Sequence, residues 1–165
     1  MSKPFGIIPP EPGRQSSLDG CAPAFALKVK NVLAAMQTKG FDPIVFEALR
    51  SAERSVWLYG FGRDYDDGRG VVTQILPTQH SWHFFGLAAD IISKSKEWNA
   101  PAAFWTALRA CAEAEDLVSG QQFSRPDGPH VQWNIKGMHC SPTPAAQALY
   151  DSGGLPAVWA VLHAE

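Results

Sequence analysis

Ser81-Trp82-His83-Phe84-Phe85-Gly86-Leu87-Ala88-Ala89-Asp90-Ile91-Ile92 is the stretch whose reading decides the fold. From Leu87 onward it is apolar except for one acid, which reads as a buried strand. A carboxylate inside such a strand is costly unless it is paired or holds a metal, so Asp90 stands apart from ordinary surface acids. His83 lies seven residues upstream (90 − 83 = 7). A straight helix would separate the two by roughly 10.5 Å and a strand by roughly 23 Å. Two donors to one metal ion, each at about 2 Å, cannot be that far apart. The chain must curl between them, and Gly86 can do so without a Cβ penalty.

Asp127-Gly128-Pro129-His130-Val131-Gln132-Trp133 follows the same logic. Gly128-Pro129 excludes a helix, so Asp127 and His130 are not an i, i+3 pair on a helical face. Pro129 sets an extended approach to His130–Trp133, whose alternation suits a short strand. His130 and Gln132 then point one way, Val131 and Trp133 the other. Together the two stretches offer two histidines, one aspartate and a further carboxylate, donors of the kind zinc takes. Three protein ligands with an open fourth position describe a catalytic zinc; a structural zinc would be closed by four. A carboxylate three residues before a ligand histidine is placed to serve as general base.

Written as Ser-x-His-x-x-Gly-x-Ala-x-Asp followed by Asp-x-Pro-His, these motifs resemble the zinc peptidases of the D-alanyl-D-alanine carboxypeptidase type. That group includes VanY-like enzymes and phage endolysins that cut the L-alanyl-D-glutamate bond of peptidoglycan. Glu47-Ala48-Leu49-Arg50-Ser51-Ala52-Glu53-Arg54 and Trp57-Leu58-Tyr59-Gly60-Phe61-Gly62-Arg63 resemble the family's upstream block, and the likeness runs from about Lys28 to Trp133. The resemblance implies His83, Asp90 and His130 as ligands of one zinc per chain. It implies Asp127 as the base, where some relatives carry Glu, and Arg50 as the cation for a substrate carbonyl or carboxylate. Ser81 would help position the peptide. Where relatives often carry Gln shortly after the Arg-Ser pair, Ser55 stands here.

The activity so implied is hydrolysis of peptidoglycan stem peptides, with an L-alanyl-D-glutamate endopeptidase of the endolysin type as the first expectation. A D-alanyl-D-alanine carboxypeptidase or dipeptidase is the alternative within the class. A zinc-bearing peptide-binding module without catalysis is the alternative outside it, and retention of Asp127 argues against that. An exopeptidase needs a cation for the terminal carboxylate of its substrate. The loop from Gly62 to Thr78 carries Arg63 and Arg69 but also Asp64, Asp66 and Asp67, a local charge of 2 − 3 = −1. That is a poor carboxylate trap.

At 165 residues, 45% hydrophobic and 18% charged, the chain suits one domain with a real core. A formal charge of −2 gives no long-range attraction to nucleic acid or to an anionic membrane. An anionic substrate would have to meet local cations such as Arg50, Arg54 and Arg63. Cys21, Cys111 and Cys140 are an odd number without a CxxC pair, which argues against a disulfide framework. The first ten residues hold too short an apolar run for a signal peptide, and no window reaches transmembrane length. The expectation is a monomer made in the cytoplasm that acts on the cell wall after release, in the host periplasm if it is a phage endolysin.

Residues 1–20, rich in Pro, Gly and Ser, are expected as an extended arm, with the catalytic domain over 21–165. Helices are expected over Ala24–Lys39, Ala52–Phe61 (Val56 and Tyr59 among its inner positions) and Ala100–Ala114. Two more are expected around Gly153-Gly154. Pro43–Leu49 reads as a strand that delivers Arg50 and Ser51, and Ser119–Gly128 as a loop bearing Asp127. The fold class is therefore α+β, a small antiparallel sheet with flanking helices. His80, His139 and His163 read as structural or surface residues. His139-Cys140 is rejected as a metal pair because neighbours on a strand face opposite ways. Asp64–Gly68 lacks the spacing of a calcium loop. Trp82 and Trp133 are expected to wedge the site.

Overall fold

The apolar run after Gly86 forms the centre of a four-stranded antiparallel sheet. The computed structural model describes residues 5–135 and 141–165. Its strands are β1 (Pro43–Glu47), β2 (Ala88–Ser93), β3 (Leu117–Ser119) and β4 (His130–Trp133), in the order β1-β2-β4-β3. The helices are α1 (Pro23–Thr38), α2 (Ala52–Gly60), α3 (Ala102–Ala114) and α4 (Pro144–Leu162), with a 3₁₀ turn at Gly120–Gln122. The expected α+β class, with a small antiparallel sheet and flanking helices, is the one observed. The short strand β3 was not anticipated: three residues are too few to show a period. His139-Cys140 falls outside the described residues.

One face of the sheet makes the core. Phe25, Val29, Val32 and Met36 of α1 recur at helical spacing and are fully buried. They meet Phe104 and Leu108 of α3 and Leu87, Ala89, Ile91 and Val131 from the sheet. The opposite face is left for polar residues. Asp90 pairs across the ladder with Glu47 on one side and with His130 on the other, and directly opposed residues point to the same face. A register shift between Val45 and Glu47 leaves Phe46 as the extra residue of a bulge, a device that re-aims side chains.

Helix α2 corrects one expectation. Val56 is 56% exposed, while Arg54, Ser55, Trp57 and Leu58 turn inward. The reason is that α2 packs in a separate small cluster with Phe61 and Tyr65, and must also bring Arg54 to Glu47. Residues 5–17 have no regular structure but are fastened along this side. Trp57 Nε1 donates to Pro9 O (2.9 Å), Ala48 N donates to Gln15 O (2.7 Å), and Gly6 N donates to Asp64 O (2.8 Å). Helix α4 runs as one element but is interrupted by non-helical Gly153 and Gly154, so the two expected segments meet at a kink. Its Trp159 donates to Phe85 O (2.7 Å), and Trp133 donates back to Leu162 O (3.0 Å). No helix among the described residues is long and apolar enough to cross a membrane.

Candidate metal centre

Gly86 has φ +67°, and its backbone presses against Gly20 and Cys21, so a Cβ there would meet Cys21 Cα at 3.0 Å. The curl expected at this residue is therefore real. The turn is closed by Gly86 N donating to His83 O (3.1 Å) and Leu87 N to Trp82 O (3.0 Å). It folds His83 back over the strand it precedes. Donor atoms of His83, Asp90 and His130 come within 4.8 Å of one another. His83 Nε2 and His130 Nδ1 each stand 3.4 Å from Asp90 Oδ1.

The remaining ring nitrogens are committed. His83 Nδ1 donates to Ala48 O (2.9 Å), which leaves Nε2 as the lone-pair nitrogen. His130 Nε2 donates to Gln132 Oε1 (2.9 Å), which leaves Nδ1 free to ligate. Such partners set the tautomer and orient the ring for a metal. Gln132, two residues on from His130 and on the same face, is fully buried. The strand alternation placed it there, but its service to His130 follows only from the distance.

The electrostatics suit a cation. Burial depresses His83 toward its neutral, ligating form. Burial alone would raise Asp90, but the two imidazoles outweigh it and hold the carboxyl well below its ordinary range. His130 goes the other way: burial opposes its charge, yet Asp90 and Asp127 draw positive charge onto it. Two carboxylates demanding a positive charge between them describe a site that a divalent ion would complete. The donor set, two imidazoles and a carboxylate, is one zinc accepts.

Asp127 opens onto the same space. Its backbone is held by Asp127 N donating to Gly120 O (2.9 Å) and by His130 N donating to Asp127 O (3.4 Å). Gly120 is required there, because a Cβ would lie 2.5 Å from Asp127 O. Crowding by protein raises the Asp127 carboxyl, and the Asp90 charge raises it further. Arg50 follows β1 and donates through Nε (3.0 Å) and Nη2 (2.5 Å) to Glu47 Oε2, with Nη2 at 3.6 Å from Asp90 Oδ2. Glu47, 2% exposed, also accepts from Arg54 Nε. Nothing in the spacing singled out Glu47.

Of the other expected cations, Arg54 is buried and pairs with Glu47 and Glu11, and Arg63 is spent on the carbonyls of Tyr59 (2.7 Å) and Thr73 (3.1 Å). Ser81 is buried beside a cavity of about 10 Å³, near Arg50, Ser55 and His80, and its Oγ has no hydrogen-bond partner. The larger cleft, about 930 Å³, is lined by Arg50, Asp90, Asp127 and His130 together with the arm and the 69–75 loop.

No protein-family model matches the sequence, and no curated protein does. Among solved structures, the chain resembles the Serratia marcescens L-Ala D-Glu endopeptidase ChiX, with a TM-score of 0.50 at 24% identity over 73% of this chain and 85% of that one. It also resembles the LD-carboxypeptidase LdcB, with a TM-score of 0.55 at 21% identity over 82% of this chain and 72% of that one. The fold is therefore shared with these two peptidases, of which LdcB is described for its recognition of peptidoglycan.

Proposed function

We propose that this chain is a zinc peptidase of peptidoglycan stem peptides that cuts the L-alanyl-D-glutamate bond. The observation that carries the reading is the convergence of three donor atoms, both outer imidazole nitrogens committed elsewhere, beside Asp127 in a peptide-sized cleft. His83 Nε2, Asp90 and His130 Nδ1 would hold the ion. Bound there, zinc polarises a scissile carbonyl and acidifies water. Asp127 accepts the proton of the attacking water at its carboxylate and returns it to the leaving amine, a role its raised carboxyl suits. Arg50, anchored by Glu47, presents its guanidinium to the oxygen that gains charge. Ser81, which lines the same small cavity as Arg50, helps position the peptide.

The endopeptidase is favoured over the carboxypeptidase because Arg63 is spent on carbonyls and Arg69 on Asp67 (2.6 Å). Neither is free to trap a terminal carboxylate. One observation speaks for the carboxypeptidase: Arg125 and Arg14 line the cleft, and no ion pair holds either among the described residues. Mass spectrometry of purified peptidoglycan, digested with zinc and with a chelator, decides between them. New N-terminal D-glutamate, lost with the chelator, is the expected product. Dominant release of free D-alanine would establish the carboxypeptidase, and no products at all would leave a binding module. Metal analysis should find one zinc in the wild type and little in His83→Ala.

A further inference from the structure

Phe46 is the bulged residue of β1, next in sequence to Glu47, which pairs with Asp90. The Trp98 ring packs edge-on against it, centroids 4.7 Å apart at 71°. On Phe46 also rests the Arg14 guanidinium, 3.9 Å from the ring centroid. All three line the same cleft as Asp90, Asp127 and His130. Trp98 is 49% exposed, whereas the other five tryptophans are buried or half-buried. The turn that carries it is fastened to the end of β2. Glu97 N donates to Ser93 O (2.9 Å), Asn99 N to Lys96 O (2.9 Å), and Asp42 ties down Ser93 Oγ (2.6 Å) and Ser95 N (2.8 Å). No carboxylate pairs with Arg14 among the described residues, so its donors are available.

A half-bare indole, a second aromatic ring and a guanidinium without a carboxylate partner, clustered on the wall of the cleft, combine apolar area with convergent donors, the composition of a binding surface. We propose that Trp98, Phe46 and Arg14 form a carbohydrate subsite, which takes the amino-sugar ring that bears the stem peptide. The exposed Trp98 indole stacks on the apolar face of the pyranose with Phe46 packed against it, and Arg14 donates to the sugar's acetamide or lactyl oxygens. The inference rests on the endopeptidase reading, and the spacing agrees with it. Phe46 neighbours the residue opposed to Asp90, so the platform begins within roughly 10 Å of the metal ligands. In the substrate, one alanine and a lactyl link separate the ring from the L-alanyl-D-glutamate bond, roughly 7–9 Å when extended. A bond at the far end of the stem would carry the ring about 15 Å away or more.

Two measurements test the subsite. The first compares kcat/KM on a stem peptide with and without its disaccharide. Wild type should prefer the glycan-bearing form about three- to tenfold, the range an aromatic contact supplies. Trp98→Ala should bring the ratio toward one, and Trp98→Phe should keep part of it. An unchanged ratio in Trp98→Ala overturns the proposal. The second measures binding of glycan strands stripped of all peptide, so that no cleavage is involved. Wild type should bind them and Trp98→Ala should not; equal binding, or none by wild type, also overturns the proposal. Trp98-dependent glycan binding without release of N-terminal D-glutamate would keep the subsite and remove the endopeptidase.

Discussion

Asp127 and Gln132 stand on either side of His130 and should fail differently. Asp127 lies beyond the three converging donors. On the proposed reading, Asp127→Ala should keep the metal while turnover falls on the order of 10²–10⁴-fold, the usual cost of a lost general base. Loss of the metal in that variant would make Asp127 a ligand instead. Asp127→Glu should retain part of the activity, because only the reach of the acid changes. Gln132 Oε1 holds the tautomer of His130 at 2.9 Å. Gln132→Leu should weaken zinc affinity about 10–100-fold, as removal of such partners does. A competition titration against a chromophoric chelator reads the change, and unaltered affinity would deny Gln132 its orienting role.

At the scale of elements, the β2 end and its following turn depend on one carboxylate. Hydrogen bonds from Ser93 Oγ and from Ser95 lower the Asp42 carboxyl from its ordinary 3.8 to about 2. Between those values the unfolded chain binds more protons than the folded one, so stability rises with pH across that window. The contribution is present above pH 4 and is lost as the pH falls toward 2. Denaturation midpoints of wild type and Asp42→Ala should therefore differ at neutral pH and converge on acidification. A gap that stays constant with pH would show that Asp42 acts by packing alone. The same turn carries Trp98, so Asp42 also supports that wall of the cleft.

Across the whole molecule, the arm is part of the site's support. Glu11 pairs with Arg54 (2.8 Å), Arg54 with Glu47, and Glu47 with Arg50, a chain of charges from residues 5–17 to the cleft. Removing those residues would strip partners from buried Arg54 and from Trp57 Nε1, and such orphaned groups cost about 1–3 kcal/mol each. The shortened protein should unfold at distinctly lower urea concentration. It should also show a raised KM as Arg50 loses its bracing. Unchanged stability would mean that the arm only lies against the surface.

Sequence by itself determined the local geometry: the curl at Gly86, the strand after it, the extended run from Pro129, and the helical stripe from Phe25 to Met36. These are decided within a few residues, by the φ a residue can adopt and by which side chains face the same way. It also isolated Asp90, because a lone acid in an apolar strand needs a partner wherever that strand goes. Only the tertiary structure decided which partners arrive. Glu47 meets Asp90 because β1 and β2 pair in one register, and Phe46 turns toward the cleft because that register slips by a residue. Arg54, counted on sequence grounds among the cations an anionic substrate would meet, is buried once α2 and the arm close over it. Val56 changes side for the same reason. Charges and aromatic rings act over a few ångströms of space, and chain spacing does not encode which distant residues share those ångströms.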